Sequence, residues 1–410
     1  MDWVKYKLSD VVQFNPAERL AKGTIAKKVA MEQLQPFTRA ISGYELAAYS
    51  GGSKFRNGDT LMARITPCLE NGKTAYVSIL DDEEVGFGST EYIVFRNIEG
   101  VTDRKFIYYF VSNPWFRNIA IKSMVGSSGR QRVQQSVLEN LEINLPPLAE
   151  QKRIAAILGA LDDKIELNRR INANLEEQAK ALFKSWFVDF EPFKDAGFVD
   201  SELGSIPKGW SVGNVNDIVQ ILSGFAFKSE TFAQIGPYQL ITIKGVQDGY
   251  LDINGASYIS KVPLKMPAYC NLGIGDILLS LTGNIGRVCI VDRPNLLLNQ
   301  RVAKLKLQNG NQDSLFVYIL FRQDAFKNHL LQIARGTAQL NLSPVETSKM
   351  KIILPPADIL LKFSQIGQYL FDEIVHNHQE TLHLSTLRDT LLPRLMTGEI
   401  PVMDNVINEL

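Results

Sequence analysis

The sequence has few cysteines, no long apolar run and no excess of charge of either sign. Its three cysteines, Cys68, Cys270 and Cys289, form no Cys-x-x-Cys pair, which excludes a disulfide framework and a zinc framework and favours a reducing compartment. The longest apolar run, Leu315 to Phe321, is far shorter than the roughly 18–20 residues that cross a bilayer. Because residues 1–5 also lack the pattern of a secretory signal, a cytoplasmic protein without membrane segments is expected.

The balance of charge restricts how the chain can bind nucleic acid. Lys and Arg together number 44, and so do Asp and Glu. A chain without net positive charge can bind nucleic acid only through a local surface. With 410 residues, 45% of them hydrophobic, the chain is long enough and apolar enough for two or more globular domains.

A repeat that covers the whole chain is the clearest feature that the sequence does contain. Four residues near the start recur with the same spacing 207 residues later: Trp3, Leu8, Asp10 and Gln13 correspond to Trp210, Val215, Asp217 and Gln220. The offset is 217 at the Gly-Asp turns that contain Asp59 and Asp276, which indicates a ten-residue insertion in the second copy. It is 209 at the Leu-Pro-Pro elements, 145–147 and 354–356. Self-similarity of this kind indicates a duplicated module.

Each copy ends in a stretch with heptad periodicity. Apolar residues follow one another at steps of four and three from Ile154 to Trp186 and, equivalently, from Phe363 to Leu395, with polar residues near both centres. Helices of this length cannot bury their apolar stripes alone, so they are predicted to pair antiparallel about a pseudo-two-fold axis. The alternative is that each helix packs only on its own module.

The predicted fold is therefore α+β, with two duplicated mixed α/β modules separated by two long antiparallel coiled-coil helices in pseudo-two-fold symmetry. Strands are predicted at 74–80, 91–95 and 302–307. The predicted bounds are 1–146 for the first module, 147–190 for the first helix, 191–209 for a linker, 210–355 for the second module, 356–398 for the second helix and 399–410 for a C-terminal tail.

Short motifs that could indicate catalysis do not combine into an active site. Gly72-Lys73-Thr74 ends like a P-loop, but Pro67 stands where the first glycine is required. Asn113-Pro114-Trp115-Phe116 matches only part of the element with which amino-methyltransferases hold a base, and a helix end is favoured there. Asp162-Asp163-Lys164 is expected on a solvated helix face, and the two-residue spacing of His376 and His378 places them on different faces.

Three sequence elements resemble the specificity subunit of type I restriction-modification systems. They are the segment from Leu145 to Ile154, LPPLAEQKRI, which leads into the first helix, the FKSWF sequence at 183–187 and the IPKGW sequence at 206–210. The resemblance covers both halves of the chain. It implies that the modules are target-recognition domains, each reading one half of a split double-stranded DNA sequence, and that the helices set the spacer and dock methyltransferase subunits. The second copy departs from the first at 357–360, where Glu-Gln is missing.

The resemblance also implies a non-catalytic subunit that works with two methyltransferase and two restriction subunits in DNA methylation and phage defence. S-adenosylmethionine, ATP and Mg²⁺ would then be used by these partners, with no cofactor in this chain. One alternative is a fused DNA methyltransferase with its own recognition domains. The other is a coiled-coil scaffold that does not bind DNA, which would leave the duplicated modules unexplained.

The residues predicted to face DNA lie in polar, flexible and locally basic segments that occur in both copies. Glycine allows close approach of the backbone, and arginine can pair with phosphate or with guanine. In the first copy they are Arg64, Thr66, Asn71, Lys73, Ser127, Ser128, Arg130 and Arg132, and in the second Thr282, Asn284, Arg287, Gly336, Thr337 and Gln339. The aromatic residues at 106–116 are assigned to the core.

The first prediction concerns the register of the helices. Asn168 and Asn377 lie at the midpoints of the periodic stretches 150–186 and 359–395, and the midpoints of an antiparallel pair meet. The two side chains are therefore predicted to face each other and to form a hydrogen bond, which fixes register at some cost in stability. A slip of one heptad would shift the helices by about 10 Å, so replacing both residues by leucine should loosen the preferred DNA spacer.

The second prediction is that the purified chain has no methyltransferase, nuclease or ATPase activity, because no glycine-rich cofactor turn, metal cluster or intact P-loop is present in the sequence. Incubation with labelled S-adenosylmethionine and DNA, or with ATP, tests this. Methyl transfer by the chain alone would contradict the prediction.

Overall fold

A computed structural model describes residues 3–127, 129–336 and 340–402. The chain forms two compact units. The first comprises residues up to Leu167 together with those from Leu382 onward, and the second comprises Asn168–Thr381. Each unit therefore contains one module and about half of each long helix.

Within the described residues, the first unit begins with ten strands and four short α-helices, followed by the first long helix. The strands are β1 Val4–Lys7, β2 Val12–Phe14, β3 Ile25–Val29, β4 Glu45–Ala48, β5 Lys54–Phe55, β6 Thr60–Ala63, β7 Thr74–Tyr76, β8 Gly86–Gly88, β9 Tyr92–Asn97 and β10 Glu142–Leu145. The helices are α1 Leu8–Val11, α2 Arg104–Ser112, α3 Pro114–Lys122, α4 Gln135–Glu139 and α5 Leu148–Phe187.

Two four-stranded sheets and one strand pair make up the first module. The antiparallel sheet has the order β2-β9-β6-β7, the mixed sheet has the order β4-β3-β8-β5 with β3 and β8 parallel, and β1 pairs with β10. Successive side chains of a strand point to opposite faces. In β6, Met62 belongs to the core under the helices and Leu61 to the core shared with the mixed sheet. Burial on both faces explains why this strand is apolar except for the buried Thr60.

Helix ends in the first module are fixed by side-chain caps. The Asp103 carboxylate accepts a hydrogen bond of 2.9 Å from the Phe106 amide at the start of α2. Asn113 ends α2 and caps α3, where its side chain accepts from the Trp115 amide at 2.9 Å and Pro114 occupies the first turn. The Asn113-Pro114 element is therefore a junction between helices, as predicted.

The second unit repeats this order after a short hairpin. Its strands are β11 Phe198–Ser201, β12 Gly204–Pro207, β13 Ser211–Asn214, β14 Val219–Ser223, β15 Phe232–Ala233, β16 Tyr238–Ile241, β17 Tyr258–Ile259, β18 Asn271–Leu272, β19 Ile277–Ser280, β20 Val288–Ile290, β21 Leu296–Leu298, β22 Val302–Leu307 and β23 Lys351–Leu354. Its helices are α6 Ser314–Arg322, α7 Asp324–Ile333, α8 Pro344–Ser348 and α9 Ala357–Met396.

The sheets of the second module have the same connectivity as those of the first. The antiparallel sheet has the order β14-β22-β19-β20, β13 pairs with β23, and β16 and β21 are parallel in a mixed sheet of order β15-β17-β16-β21-β18. The strand β15 is an addition to the pattern of the first module. The predicted α+β fold with duplicated modules and two long helices is confirmed. The segment predicted as a linker, 191–209, holds the hairpin of β11 and β12.

The two long helices correspond to the predicted periodic stretches. They span Leu148–Phe187 and Ala357–Met396, 40 residues each, against predicted bounds of 147–190 and 356–398. Every position of the predicted seam is buried or half-buried, from Ile154 to Trp186 and from Phe363 to Leu395. The helices also pack on the modules, since Leu158 and Phe363 belong to module cores. The two helices therefore pair with each other and also pack on the modules.

The register of the helices differs from the prediction. Asn377 donates to the Asn172 carboxamide oxygen at 2.9 Å, and Asn172 donates to the Ile374 carbonyl at 3.2 Å. Asn168 instead donates to Glu380 at 2.7 Å. The predicted pairing of Asn168 with Asn377 is therefore wrong by four residues, about one helical turn. An antiparallel pair with approximate two-fold symmetry does not have to place equivalent residues opposite each other, because the axis can pass between them.

The solvated position predicted for Asp162 is also wrong. Its side chain is 2% exposed, forms an ion pair of 2.6 Å with Arg388 and accepts a 2.8 Å hydrogen bond from the Tyr109 hydroxyl. Burial and then the charge of Asp162 raise the pKa of Tyr109, so this hydroxyl keeps its proton. Burial acts to lower the pKa of Arg388, but the carboxylates of Asp162 and Asp389 raise it. Within the first unit, Asp162 therefore joins α5 to both α2 and α9.

Further polar contacts hold each module to α5. In the first unit, Arg39 donates to Glu166 through Nε at 2.9 Å and through Nη2 at 2.7 Å. In the second unit, the Tyr318 hydroxyl and the Arg322 guanidinium both contact Glu176 at 2.7 Å. These contacts orient each module on the half of α5 that belongs to its own unit.

The glutamine of the LPPLAEQKRI segment, Gln151, has a structural role at the start of α5. Its fully buried side chain accepts from the Asp103 amide at 3.0 Å and donates to the carbonyls of Val101 and Pro146 at 3.1 and 2.9 Å. The glutamine thus ties the start of α5 to the start of α2. At the equivalent position of α9 stands Leu360, which is 8% exposed and lies in the apolar core.

We expect Asp162→Asn to destabilise the first unit by about 3–5 kcal/mol, because it leaves the buried Arg388 charge without its buried partner. Asp389→Asn is the matched control, since Asp389 contacts the same arginine with a side chain that is 63% exposed. Its loss should be about 0–1 kcal/mol. Urea unfolding of the full chain measures the loss of stability in both variants. Equal losses would show that burial of the Asp162 carboxylate does not determine how much its ion pair with Arg388 contributes.

Candidate nucleic-acid interface

Most of the candidate residues of the first module lie on two chain segments that meet at the end of β6. The Val133 amide donates to the Arg64 carbonyl at 2.9 Å, and the Thr66 amide donates to the Gln131 carbonyl at 3.0 Å. Arg132 pairs in antiparallel bridges with Ile65 and Val125. Residues 64–66, 125–127 and 129–133 thus form a structure that we call the first two-loop ribbon.

The second module builds the same structure from equivalent residues. Asn341 pairs in antiparallel bridges with Thr282 and Arg335, and the Leu342 amide donates to the Leu281 carbonyl at 2.7 Å. Residues 281–287 and 335–342 are the second two-loop ribbon, of which 337–339 lie outside the described residues. In both modules, candidate residues from distant parts of the sequence thus lie close together. Their contact with DNA stays a prediction.

Each ribbon contains a glycine with a positive φ directly after its bridged residue Val125 or Arg335. Gly126 has φ +128°, and a Cβ there would lie 3.0 Å from the Arg130 carbonyl oxygen. Gly336, which is exposed, has φ +129° at the equivalent position. Residues with side chains rarely adopt this backbone conformation. The two ribbons therefore share a backbone turn as well as their bridges.

The charged side chains of the first ribbon have two different environments. Arg132 contacts Glu91 through Nε at 2.9 and 3.0 Å and through Nη2 at 2.6 Å, and this carboxylate raises the pKa of Arg132. Arg130 and Ser127 are exposed. Within the described residues, the Arg130 side chain makes no hydrogen bond or ion pair. Besides the half-buried Arg64, the described part of the ribbon thus carries one guanidinium oriented by a carboxylate and one exposed guanidinium without a hydrogen bond or ion pair.

Other candidates of the first module serve structural contacts or lie apart from the ribbon. Lys73 donates to the Met31 carbonyl at 2.8 Å, and Asn71 is exposed on the turn that leads into β7. The Thr66 hydroxyl lies 3.4 Å from the Met124 sulfur, and Arg64 is half-buried. Residues 72–74 belong to this turn and to β7, without the strand-loop-helix context of a P-loop.

The candidates of the second module are linked by polar contacts. The Thr282 side chain is buried, and its hydroxyl donates to the Asn341 carboxamide oxygen at 2.7 Å. Thr282 therefore orients Asn341 and presents no exposed hydroxyl of its own. Arg287 donates to the Gln247 side-chain oxygen at 2.5 Å, and Asn284, with its oxygen turned toward Arg287, accepts at 3.2 and 3.3 Å.

Three candidates, Ser128, Thr337 and Gln339, lie outside the described residues, and two residues that contact arginines of the ribbons were not predicted. Glu91 and Gln247, which hold the two arginines, were missed because each comes from a distant part of the sequence. Only the recurrence of polar residues near the Gly-Asp strands could have indicated such partners.

The Gly-Asp turns anchor the sheets that carry the ribbons. Asp59 is 1% exposed and accepts from Arg96 Nε and Nη2 at 2.7 Å and from the Arg56 amide at 2.7 Å. Burial raises the pKa of Asp59 in spite of these contacts. Asp276 pairs with Lys304 at 2.6 Å. Among the described residues, no group of three or more His, Cys, Asp or Glu side chains is arranged to hold a metal ion.

Comparison with known proteins identifies the class to which this duplicated architecture belongs. Residues 1–177 and 207–383 match the sequence family described as the type I restriction modification DNA specificity domain. Since the matched segments make up most of the chain, the chain belongs to this family. The resemblance seen in the sequence is confirmed.

Individual relatives agree with the family. The type I restriction enzyme MjaIX specificity subunit of Methanocaldococcus jannaschii is 32% identical over 317 residues, which cover 75% of this chain and 72% of the relative. The type I restriction enzyme HindI specificity subunit of Haemophilus influenzae is 26% identical, with 97% of this chain and 100% of the relative covered. The crystal structure of a type I restriction-modification S subunit from M. genitalium shares the fold, with a TM-score of 0.54, 17% identity and coverage of 98% and 97%.

These relatives bear on the predicted lack of catalytic function. Specificity subunits are the non-catalytic components of type I restriction-modification complexes, so the prediction that this chain is not an enzyme is confirmed by its relatives. None of the helices within the described residues combines the length and the apolar character that a bilayer span requires.

Proposed function

We propose that each module binds one half of a bipartite double-stranded DNA target through its two-loop ribbon. The observation that carries this proposal is that the same ribbon occurs twice, with the same bridges and with different side chains at equivalent positions. A common backbone with different side chains is what two related readers of different half-sequences require. The exposed Arg130 and Arg335 supply positive charge on ribbons of a chain that has no net charge.

We further propose that the long helices set the spacer between the half-targets, because both helices run from one unit into the other. The buried layer of Asn172 and Asn377 supports this role. Buried polar residues at seam positions fix the register of paired helices. A different register would move the end of one helix along the other by about 5 Å for each turn.

The helices also carry exposed apolar side chains, as expected of surfaces that other subunits cover. They are Leu167 and Ile171 on α5 and Leu361, Ile366, Tyr369 and Leu387 on α9, with Tyr369 66% exposed. In this proposal two methyltransferase subunits dock on the helices and two restriction subunits complete the complex. These partners, and not this chain, use S-adenosylmethionine, ATP and Mg²⁺.

The experiment that tests the function is methylation mapping in cells that contain this chain and its partner subunits. The expected result is methylation at a single sequence with two specific parts and an unspecific spacer of fixed length. Methylation at a continuous short sequence, or none that depends on this chain, would contradict the proposal.

Arg130→Gln should weaken DNA binding uniformly across sequences. A free exposed guanidinium pairs with phosphate, so its loss should lower the slope of log affinity against log salt by about 1. Titration of the full chain with duplex DNA at several salt concentrations measures the slope. Lys122→Gln, in the same part of the module but outside the ribbon, is the control. An unchanged slope would show that Arg130 does not contact a phosphate.

Replacing both Asn172 and Asn377 by leucine should loosen the spacer while stability is kept or raised. Asn377→Leu alone should cost about 1–3 kcal/mol, since it leaves the buried Asn172 oxygen without its donor. Asn174→Ala, at an exposed position of α5, is the control. Urea unfolding gives the stabilities, and binding to duplexes with spacers of different length gives the selectivity. Unchanged spacer selectivity in the double variant would refute the register role.

A further inference from the structure

The two ribbons differ most clearly at one pair of equivalent positions. In the first module the Arg64 amide donates to the Glu91 carbonyl at 2.9 Å, and in the second the Leu281 amide donates to the Arg301 carbonyl at 2.9 Å. Glu91 and Arg301 therefore occupy the same place on the scaffold. The same bridges make Arg132 equivalent to Asn341. The acidic Glu91 of the first module is thus replaced by the basic Arg301 in the second, and the basic Arg132 by the amide Asn341.

The Arg132 guanidinium is held on one side only. Its contacts with Glu91 use Nε and Nη2, at distances of 2.6–3.0 Å. A guanidinium has five N–H donors in one plane. The side-on contact with the carboxylate leaves the opposite edge, formed by Nη1 and the remaining hydrogen of Nη2, with two parallel donors. This edge matches the O6 and N7 acceptors of guanine in the major groove.

The backbone of Arg132 is fixed as well. Its amide donates to the Val125 carbonyl at 2.9 Å, and its carbonyl accepts from the Val125 amide at 3.0 Å. The side chain is still accessible, with 46% of its surface exposed. Both the start and the end of the side chain are therefore constrained, which lowers the entropy lost when it binds a base.

Neither a contribution to folding stability nor phosphate binding explains well why Glu91 and Arg132 form an ion pair. An exposed ion pair adds little to the free energy of folding. Because Glu91 neutralises Arg132, the pair attracts phosphate weakly, while the neighbouring Arg130 is exposed and its side chain makes no hydrogen bond or ion pair within the described residues. A carboxylate is useful beside an arginine that must present one defined edge.

We propose that Arg132 reads a guanine in the half-target bound by the first module and that Glu91 is its positioning residue. The inference rests on the proposed function, since it assigns a base to one half of the target. In the second module, Asn341 and Arg301 stand at the equivalent positions, so this guanine contact is confined to the half-target of the first module.

The test is selection of binding sequences from randomised duplex DNA with the full chain, followed by affinity measurements on the selected target. The variants are Arg132→Lys, Glu91→Gln and Arg130→Gln, the last as a matched control in the same ribbon. We expect a G·C pair in one half-target and a loss of discrimination of about 5- to 150-fold at that pair alone in Arg132→Lys. Glu91→Gln should lose part of this discrimination, and Arg130→Gln none.

A change in the DNA gives a second readout that does not depend on the stability of a variant. Replacing the selected guanine by 7-deazaguanine removes the N7 acceptor, so it should weaken binding by the wild-type chain and have a smaller effect on Arg132→Lys. An equal effect on both chains, or an Arg132→Lys variant with unchanged discrimination, would overturn the assignment of guanine to Arg132.

Failure of the inference can be told apart from failure of the proposed function. A wild-type chain that selects a bipartite sequence without a G·C pair sensitive to Arg132 leaves the proposed function intact and refutes the inference. A wild-type chain that selects no sequence refutes both. Loss of affinity in Arg132→Lys that is uniform over both half-targets would assign this arginine to phosphate and also refute the inference.

Discussion

The structure depends on the need of two 40-residue amphipathic helices to bury an apolar stripe that neither can bury alone. Each helix meets this need in two ways at once, by packing on the other helix and on a module. In the first unit Leu158 and Leu395 belong to the core of the module, and in the second unit Phe183 and Phe363 do so. The helices are therefore parts of the domain cores as well as connections between domains.

Polar residues give this apolar arrangement its specificity. Apolar seams tolerate several registers, whereas a buried ion pair or amide pair is satisfied in only one. Asp162 with Arg388 in the first unit and Asn172 with Asn377 in the second are such pairs. Arg388 interrupts the apolar pattern of α9 for this reason. Gly367 is a different interruption, since a Cβ there would lie 2.5 Å from the Leu315 side chain.

The duplicated modules separate scaffold from specificity. Apart from the additional strand β15 and the short helix α1, strand order, helix order and the bridges of the ribbons are the same in both modules, and the Gly-Asp turns are fixed by the buried Asp59 and the half-buried Asp276. The side chains on the ribbons differ. This division allows one fold to present two chemically different surfaces, which suits a family of DNA specificity domains.

Features that depend on sequence pattern could be predicted without the structure. Heptad spacing located both long helices, the repeat revealed the duplication, and Gly-Asp and Leu-Pro-Pro elements marked turns and helix starts, because each of these signals can be recognised within short segments of the sequence. Candidate residues in the ribbons were found for the same reason. Arg130 and Arg132, for example, lie in one short basic segment.

Which distant residues meet could be seen only from the packing of the folded chain. Asp162 is buried because Tyr109 and Arg388 surround it, although its position in the heptad suggested solvent. Asn377 pairs with Asn172 and not with Asn168, since side-chain packing on the modules sets the register and helix midpoints do not. Glu91, which orients Arg132, is separated from it by 41 residues. Contacts over such distances depend on how the sheets and helices pack, and no local pattern in the sequence encodes that packing.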